Sequence, residues 1–188
     1  MGMPVHTRKF TADELADFPD DGNRYEVIDG ELFVTPAPRL LHQRVLKLLV
    51  RHLDGHAEAC GLELFFAPTA VRSSPLTEVQ PDLLVFSGSM TDVEDGRRIK
   101  MSSLWLAVEI LSPSTERLDR VRKRKAYLDG GVREYWIVDS KARAVEVWKP
   151  SQPVAHIARG SLAWRPVPAR DLLMIDLDAL FRDVHREG

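Results

Sequence analysis

One stretch limits the folds open to this chain more than any other. Leu104-Trp105-Leu106-Ala107-Val108-Glu109-Ile110-Leu111 is an apolar run of strand length with a single carboxylate inside it. A charge buried in such a strand costs several kcal/mol unless it is paired or bound to a metal. Glu109 therefore needs a partner. The break at Ser112-Pro113-Ser114-Thr115 and the strongly basic segment after it show where to look first.

The chain around this stretch has 188 residues, which predicts one domain with a substantial core, residues 1–9 forming a flexible lead. Its net charge of −2 confines any nucleic-acid contact to a local patch. The one cysteine, Cys60, permits no internal disulfide and supplies no zinc spacing. With no signal-like apolar region and no long apolar run, the expectation is a cytoplasmic protein with no membrane partner.

Turn and cap residues divide the chain. Thr11 and Glu14 have capping-box spacing, opening a short helix that ends before Pro19. Tyr25–Ile28 and Glu31–Thr35 flank Asp29-Gly30, a strong hairpin signal. Leu41, Val45, Leu48, Leu49, Leu53 and Ala57 recur at helical spacing over 40–60, with Gly61 as the stop. Strands are expected over 62–66, 70–72 and 79–86, the last entered through Pro81-Asp82, and residues 87–103 form a polar connection. Thr115 caps a helix from Glu116 to about Leu128, which Gly130-Gly131 ends. A hairpin over 134–139 and 144–148, a strand at 154–158 and a helix at 177–184 complete a mixed α/β (α+β) sandwich, its sheet flanked by helices.

Antiparallel pairing of the Val79 and Leu104 strands would bring Asp82 and Glu109 to the same sheet edge. Two converging carboxylates repel unless a proton or a cation intervenes. Oxygen ligands with few histidines suit Mg²⁺, with Mn²⁺ as substitute, rather than zinc. The competing reading is a salt bridge from buried Glu109 to an arginine. His52 and His56 have i,i+4 spacing but lack the context of a zinc helix. In the basic segment, Lys123 stands four residues after Asp119 and four before Tyr127, so the three share a helical side. From there Lys123 could face the carboxylate edge as a point charge beside a phosphate. Arg117, Arg120, Arg122, Arg124 and Lys125 form either a solvated face or a nucleic-acid grip.

Taken jointly, Tyr25-Glu26-Val-Ile-Asp-Gly-Glu31, His42-Gln43, Val-Gln-Pro-Asp82, Val-Glu109-Ile-Leu-Ser-Pro-Ser-Thr, the Asp119/Lys123/Tyr127 set and Gly-Val-Arg-Glu-Tyr-Trp-Ile-Val-Asp139 resemble the Uma-two family of restriction-endonuclease-like proteins. This family falls in the PD-(D/E)xK nuclease superfamily. The resemblance spans Arg24 to Phe181. It implies a restriction-endonuclease-like core and a Mg²⁺-dependent endonuclease acting on DNA. Asp82, Glu109 and the Ile110 carbonyl would hold the metal, and Lys123, Glu26 and His42 would complete the catalytic set, with Gln80 assisting. The chain departs from the superfamily pattern at Leu111, where a lysine is usual; Lys123 is the matching position on the following helix. Arg117, Arg120, Arg122, Arg124 and Lys125 would grip the DNA backbone, and a homodimer is an assembly open to it. Two other classes compete: a nuclease-fold module that binds nucleic acid without turnover, and a structural partner in a defence or mobile-element system.

Overall fold

The computed structural model describes residues 8–184, so most of the expected N-terminal lead lies outside the described residues. Chain order explains the architecture. Strands β1 (Arg24–Ile28) and β2 (Glu31–Thr35) form the expected hairpin. Its turn places Asp29 at φ 54° and Gly30 at φ 83°, the paired positive values that a two-residue hairpin turn requires. Before it, Thr11 and Glu14 form the reciprocal capping box, with Thr11 N–H donating to Glu14 Oε2 at 2.7 Å. A short 3₁₀ helix, Asp13–Asp17, follows. Helix α1 (Leu40–Ala59) then buries Val45, Leu49, Leu53 and Ala57 completely, as its periodicity predicts, while Leu41 in its first turn is exposed.

Strands β3 (Glu63–Phe66), β4 (Ala70–Ser74), β5 (Thr77–Val79) and β6 (Leu83–Phe86) follow. The expected single strand over 79–86 is two strands in two different sheets. Pro81 cannot donate to a ladder, so the chain leaves one sheet at Val79 and joins the next at Leu83. Residues 87–103 also depart from expectation. They contain β7 (Val93–Glu94), β8 (Arg98–Lys100) and 3₁₀ turns at Met90–Asp92 and Met101–Ser103.

Strand β9 (Leu104–Ile110) pairs antiparallel with β6, matching Leu83 with Val108. It pairs parallel with β10 (Tyr135–Asp139), matching Glu109 with Ile137. A parallel pair needs a crossover, and the basic segment supplies it. That segment runs through a π-helical turn, Leu118–Lys123, into α2 (Arg124–Asp129). Strands β11 (Ala144–Trp148) and β12 (His156–Ala158) extend the sheet. The unexpected hairpin β13 (Ser161–Trp164) and β14 (Leu173–Asp176) precedes α3 (Leu177–Val184), which has the predicted bounds.

Two six-stranded sheets result, in the orders β2-β1-β5-β4-β8-β7 and β12-β11-β10-β9-β6-β3. One apolar cluster joins α1 and α3 to Leu83, Val85, Leu106 and Val108 on one face of the second sheet. Another joins Val71 and Val79 of the first sheet to Leu84, Ala107 and Ile137 on the opposite face. The second sheet is thus the middle layer, and this explains why β6 and β9 read as nearly continuous apolar runs. Glu109, two residues after Ala107, shares the face turned toward the first sheet and the crossover helix. A polar seam between the sheets has to begin there.

Candidate active site

The seam is built by four elements. Asp82 sits where the chain changes sheets, 3% exposed. Its Oδ2 accepts the Ile110 N–H at 2.8 Å, which ties the start of β6 to the end of β9. The antiparallel pairing inferred from sequence is therefore present, and the two acids share one edge. Arg24 Nη1 donates to Asp82 Oδ1 at 3.1 Å and to the Gln80 carbonyl at 2.9 Å. His42, on the first turn of α1, brings Nε2 to 2.8 Å from Asp82 Oδ2. Burial alone would raise the Asp82 carboxyl, but His42, Arg24 and the Ile110 N–H together bring it down to about 2.

Glu109 has a different set of partners. Its Oε1 accepts from Lys123 Nζ at 3.0 Å and from the Tyr127 hydroxyl at 2.7 Å. The competing salt-bridge reading is realised here, by a lysine rather than an arginine. Lys123 Nζ also lies 2.9 Å from Glu26 Oε2 and 4.0 Å from Asp119 Oδ1. An ammonium is thus enclosed by three carboxylates and is 2% exposed. Burial opposes its charge, yet Glu109, Glu26 and Asp119 outweigh burial and hold the proton on it well above the usual lysine range. The other oxygen of Glu26, Oε1, accepts the Gln80 N–H at 2.7 Å.

Counting charges exposes an imbalance. Glu26, Asp82, Glu109 and Asp119 face Arg24 and Lys123 as the permanent cations, so the seam carries an excess of acid. Burial, only partly offset by Lys123, drives Glu109 well above the usual carboxylate range. Asp119 rises to about 6 for the same first reason, and Asp82 and Glu26 add to it. Asp119 Oδ1 and Glu26 Oε2 are buried without a hydrogen-bond partner, although Glu26 Oε2 keeps its ion pair with Lys123.

Asp82, Glu109, Ile110 and Lys123 line a cleft of about 400 Å³, and His42 stands at its wall. Leu111, where a lysine is usual, lines the same cleft as an apolar residue. Glu26 lies behind Lys123, fully buried. The structure therefore brings Asp82, Glu109, Ile110, Lys123, Glu26 and His42 together.

It does not bring Arg117, Arg120, Arg122, Arg124 and Lys125 there. Arg120 is held by Asp139 at 3.1 Å, by Glu146 at 2.8 Å and by Glu116. Arg122 pairs with Glu31, Lys125 with Asp129, and Arg124 lies over the Trp148 ring at 4.4 Å. The expected grip thus has most of its charge matched within the fold, Arg117 being exposed. Arg24, Asp119 and Tyr127 are the residues to which sequence reasoning assigned no role in the site, although it placed the last two on one helical side with Lys123. Strand alternation carried a signal for the first, since Arg24 and Glu26 stand two apart on one face of β1.

A family model, Uma2, described as "Putative restriction endonuclease", matches residues 12–169. Among solved structures, a putative nuclease belonging to DUF820 from Anabaena variabilis ATCC 29413 aligns with a TM-score of 0.73. That alignment has 20% sequence identity and covers 93% of this chain and 99% of the other, a likeness that shows the fold. No curated protein matches the chain.

Proposed function

Because the chain belongs to the Uma2 family, described as putative restriction endonucleases, we propose that it is a Mg²⁺-dependent endonuclease that hydrolyses DNA phosphodiester bonds. The observation that carries this reading is the meeting of Asp82 and Glu109 at one cleft edge with Lys123 between Glu109 and Glu26. The donor set fits the metal. Among the described residues no three His, Cys, Asp or Glu side chains form a metal cage. Mg²⁺ needs less, since it binds through one or two carboxylates and keeps waters or phosphate oxygens as its other ligands. Asp82, Glu109 and the Ile110 carbonyl would hold it, and the acid excess of the seam favours a cation over none. When bound, the ion lowers the pKa of a water and offsets charge on the phosphate.

The protein's own groups would divide the remaining work. In hydrolysis a water oxygen bonds to phosphorus, the P–O3′ bond breaks, and the departing 3′ oxygen ends protonated; a 5′-phosphate and a 3′-hydroxyl remain. Lys123 keeps its proton, so it serves as a hydrogen-bond donor and fixed positive charge for the phosphate rather than as a base. His42 and Arg24 fix the orientation of Asp82, and Tyr127 that of Glu109.

Supercoiled plasmid incubated with the wild type in Mg²⁺ should be nicked or linearised, and EDTA should stop the reaction. Asp82→Asn and Glu109→Gln should each abolish cleavage and weaken Mn²⁺ binding by calorimetry. Cleavage that persists in EDTA, or Mn²⁺ affinity unchanged in both variants, would remove the metal-dependent reading.

A further inference from the structure

The cleft at Asp82 does not end there. It opens into a second groove of about 680 Å³, and Arg24, His42, Asp82, Pro36 and Pro38 line both. Along the second groove α1 presents two parallel stripes. His42, Leu46 and Val50 are spaced i,i+4 and form one; Gln43, Lys47 and Arg51 form the other. Lys47 and Arg51 are exposed, and neither is matched by a carboxylate among the described residues. This contrasts with the crossover helix, where Arg120, Arg122 and Lys125 have carboxylate partners.

A further part of the lining comes from the end of β3, the edge strand of the second sheet. Phe66 pairs in register with Leu83, next to Asp82, and the Ala67 N–H donates to the Asp82 carbonyl at 3.2 Å. Phe66 lines the groove with 53% of its surface exposed. Its neighbour Phe65 has a use inside the fold, its ring 5.4 Å from that of Phe86. Phe66 has no such ring partner among the described residues.

We propose that this groove holds a single strand of DNA, its phosphates on Lys47 and Arg51 and a base stacked on Phe66, leading the backbone to Asp82. The proposal rests on the nuclease reading and names its substrate class. The lining decides between strand forms. A duplex turns its bases inward and offers phosphates to a cationic surface. A groove with Phe66, Val50 and two prolines along its walls leaves apolar surface on which unpaired bases can stack and which a duplex, its bases turned inward, leaves uncovered. Two unmatched cations on α1 and an exposed ring on β3 fit a strand that is charged along one edge and aromatic along the other. A duplex could enter only where it is frayed or opened.

Fluorescence anisotropy of the full chain in EDTA, with a labelled oligonucleotide and its duplex at low salt, tests this without chemistry. The single strand should bind at least tenfold more tightly than the duplex. Phe66→Ala should weaken single-strand binding by roughly 5- to 160-fold, the range for losing one stacked base, and leave duplex binding unchanged. Replacing Lys47 and Arg51 together by glutamine should weaken it as well and lower the slope against log salt by about 1.4, that is, two phosphate contacts on a single strand. Duplex binding equal to or tighter than single-strand binding, no binding of either form, or indifference to Phe66→Ala would overturn the inference. Mg²⁺-dependent cleavage of the duplex would then leave the nuclease reading standing. Conversely, a single strand held through these residues but left intact in Mg²⁺ and Mn²⁺ would uphold the groove and sink the nuclease.

Discussion

The two acids at the cleft edge, Asp82 and Glu109, have opposite electrostatic situations, so neutralising them should have opposite effects on stability. Asp82 lies below its usual range because His42, Arg24 and the Ile110 N–H overcome its burial. Asp82→Asn forfeits those charge-assisted bonds and should destabilise the protein by roughly 1–3 kcal/mol. Glu109 lies above its usual range because burial and three acids outweigh Lys123. Glu109→Gln removes part of that repulsion and should be neutral or stabilising. Urea unfolding in EDTA at pH 7.5 would measure both, and equal losses would mean the charge imbalance is absent. Lys123 sharpens the point. Lys123→Met strips the counter-charge from Glu26, Glu109 and Asp119, a loss of about 3–5 kcal/mol when a buried partner is removed. Adding Glu26→Gln should recover much of that stability but not the cleavage, which should stay down by on the order of a hundredfold. Recovery of cleavage along with stability would reduce Lys123 to a structural ion.

At the scale of elements, the crossover segment decides whether Lys123 reaches the seam. Its Leu118–Lys123 stretch is π-helical, a turn widened by one residue, and both Asp119 and Lys123 within it are buried. Deleting the exposed Val121 should restore α-helical winding and swing Asp119 or Lys123 out of the seam. Helical circular dichroism should persist, and cleavage should fall at least as far as in Lys123→Met. Normal cleavage by that variant would show the π turn to be incidental. Much of this was legible beforehand. Periodicity and the Gly61 stop located α1, the Asp29-Gly30 pair located the first hairpin, and the lone Glu109 in an apolar strand pointed to the seam. The π turn was not legible, because an extra residue in a turn leaves no composition signal. Nor were the two strands around Pro81, since Thr77–Val79 is too short to show a pattern of its own and only the missing N–H hints that it parts from the apolar Leu83–Phe86. The hairpin at β13 and β14 escaped because Ser161–Trp164 and Leu173–Asp176 are short and separated by a loop of prolines and charges. The expected DNA grip was read as charge alone, and charge does not reveal which arginines the fold has already matched.

At the scale of the whole molecule, the acid excess between the two sheets ties stability to pH and to a cation. Asp119 takes a proton at about 6 in the native protein against an ordinary value of 3.8, so over that interval the native state binds more protons than the unfolded state. Stability from this group is therefore gained as pH falls from 7 toward 4 and is lost as pH rises through 6. Glu109 acts in the same direction. Asp82 acts in the other, since with a native value of about 2 its contribution is complete above about 4 and disappears as pH drops toward 2. The seam thus favours the metal-free fold most strongly near pH 4–5. In EDTA, Tm should be higher at pH 5 than at pH 7.5, and Asp119→Asn should narrow that difference by raising the value at pH 7.5. A Mg²⁺ ion in the seam would relieve the same excess that protons relieve, so the two compete. Mg²⁺ at saturating concentration should raise Tm by several degrees at pH 7.5 and by clearly less at pH 5. An equal rise at both pH values would place the ion away from these carboxylates. A curve in EDTA that is the same for the wild type and Asp119→Asn would remove the acid excess itself from the account.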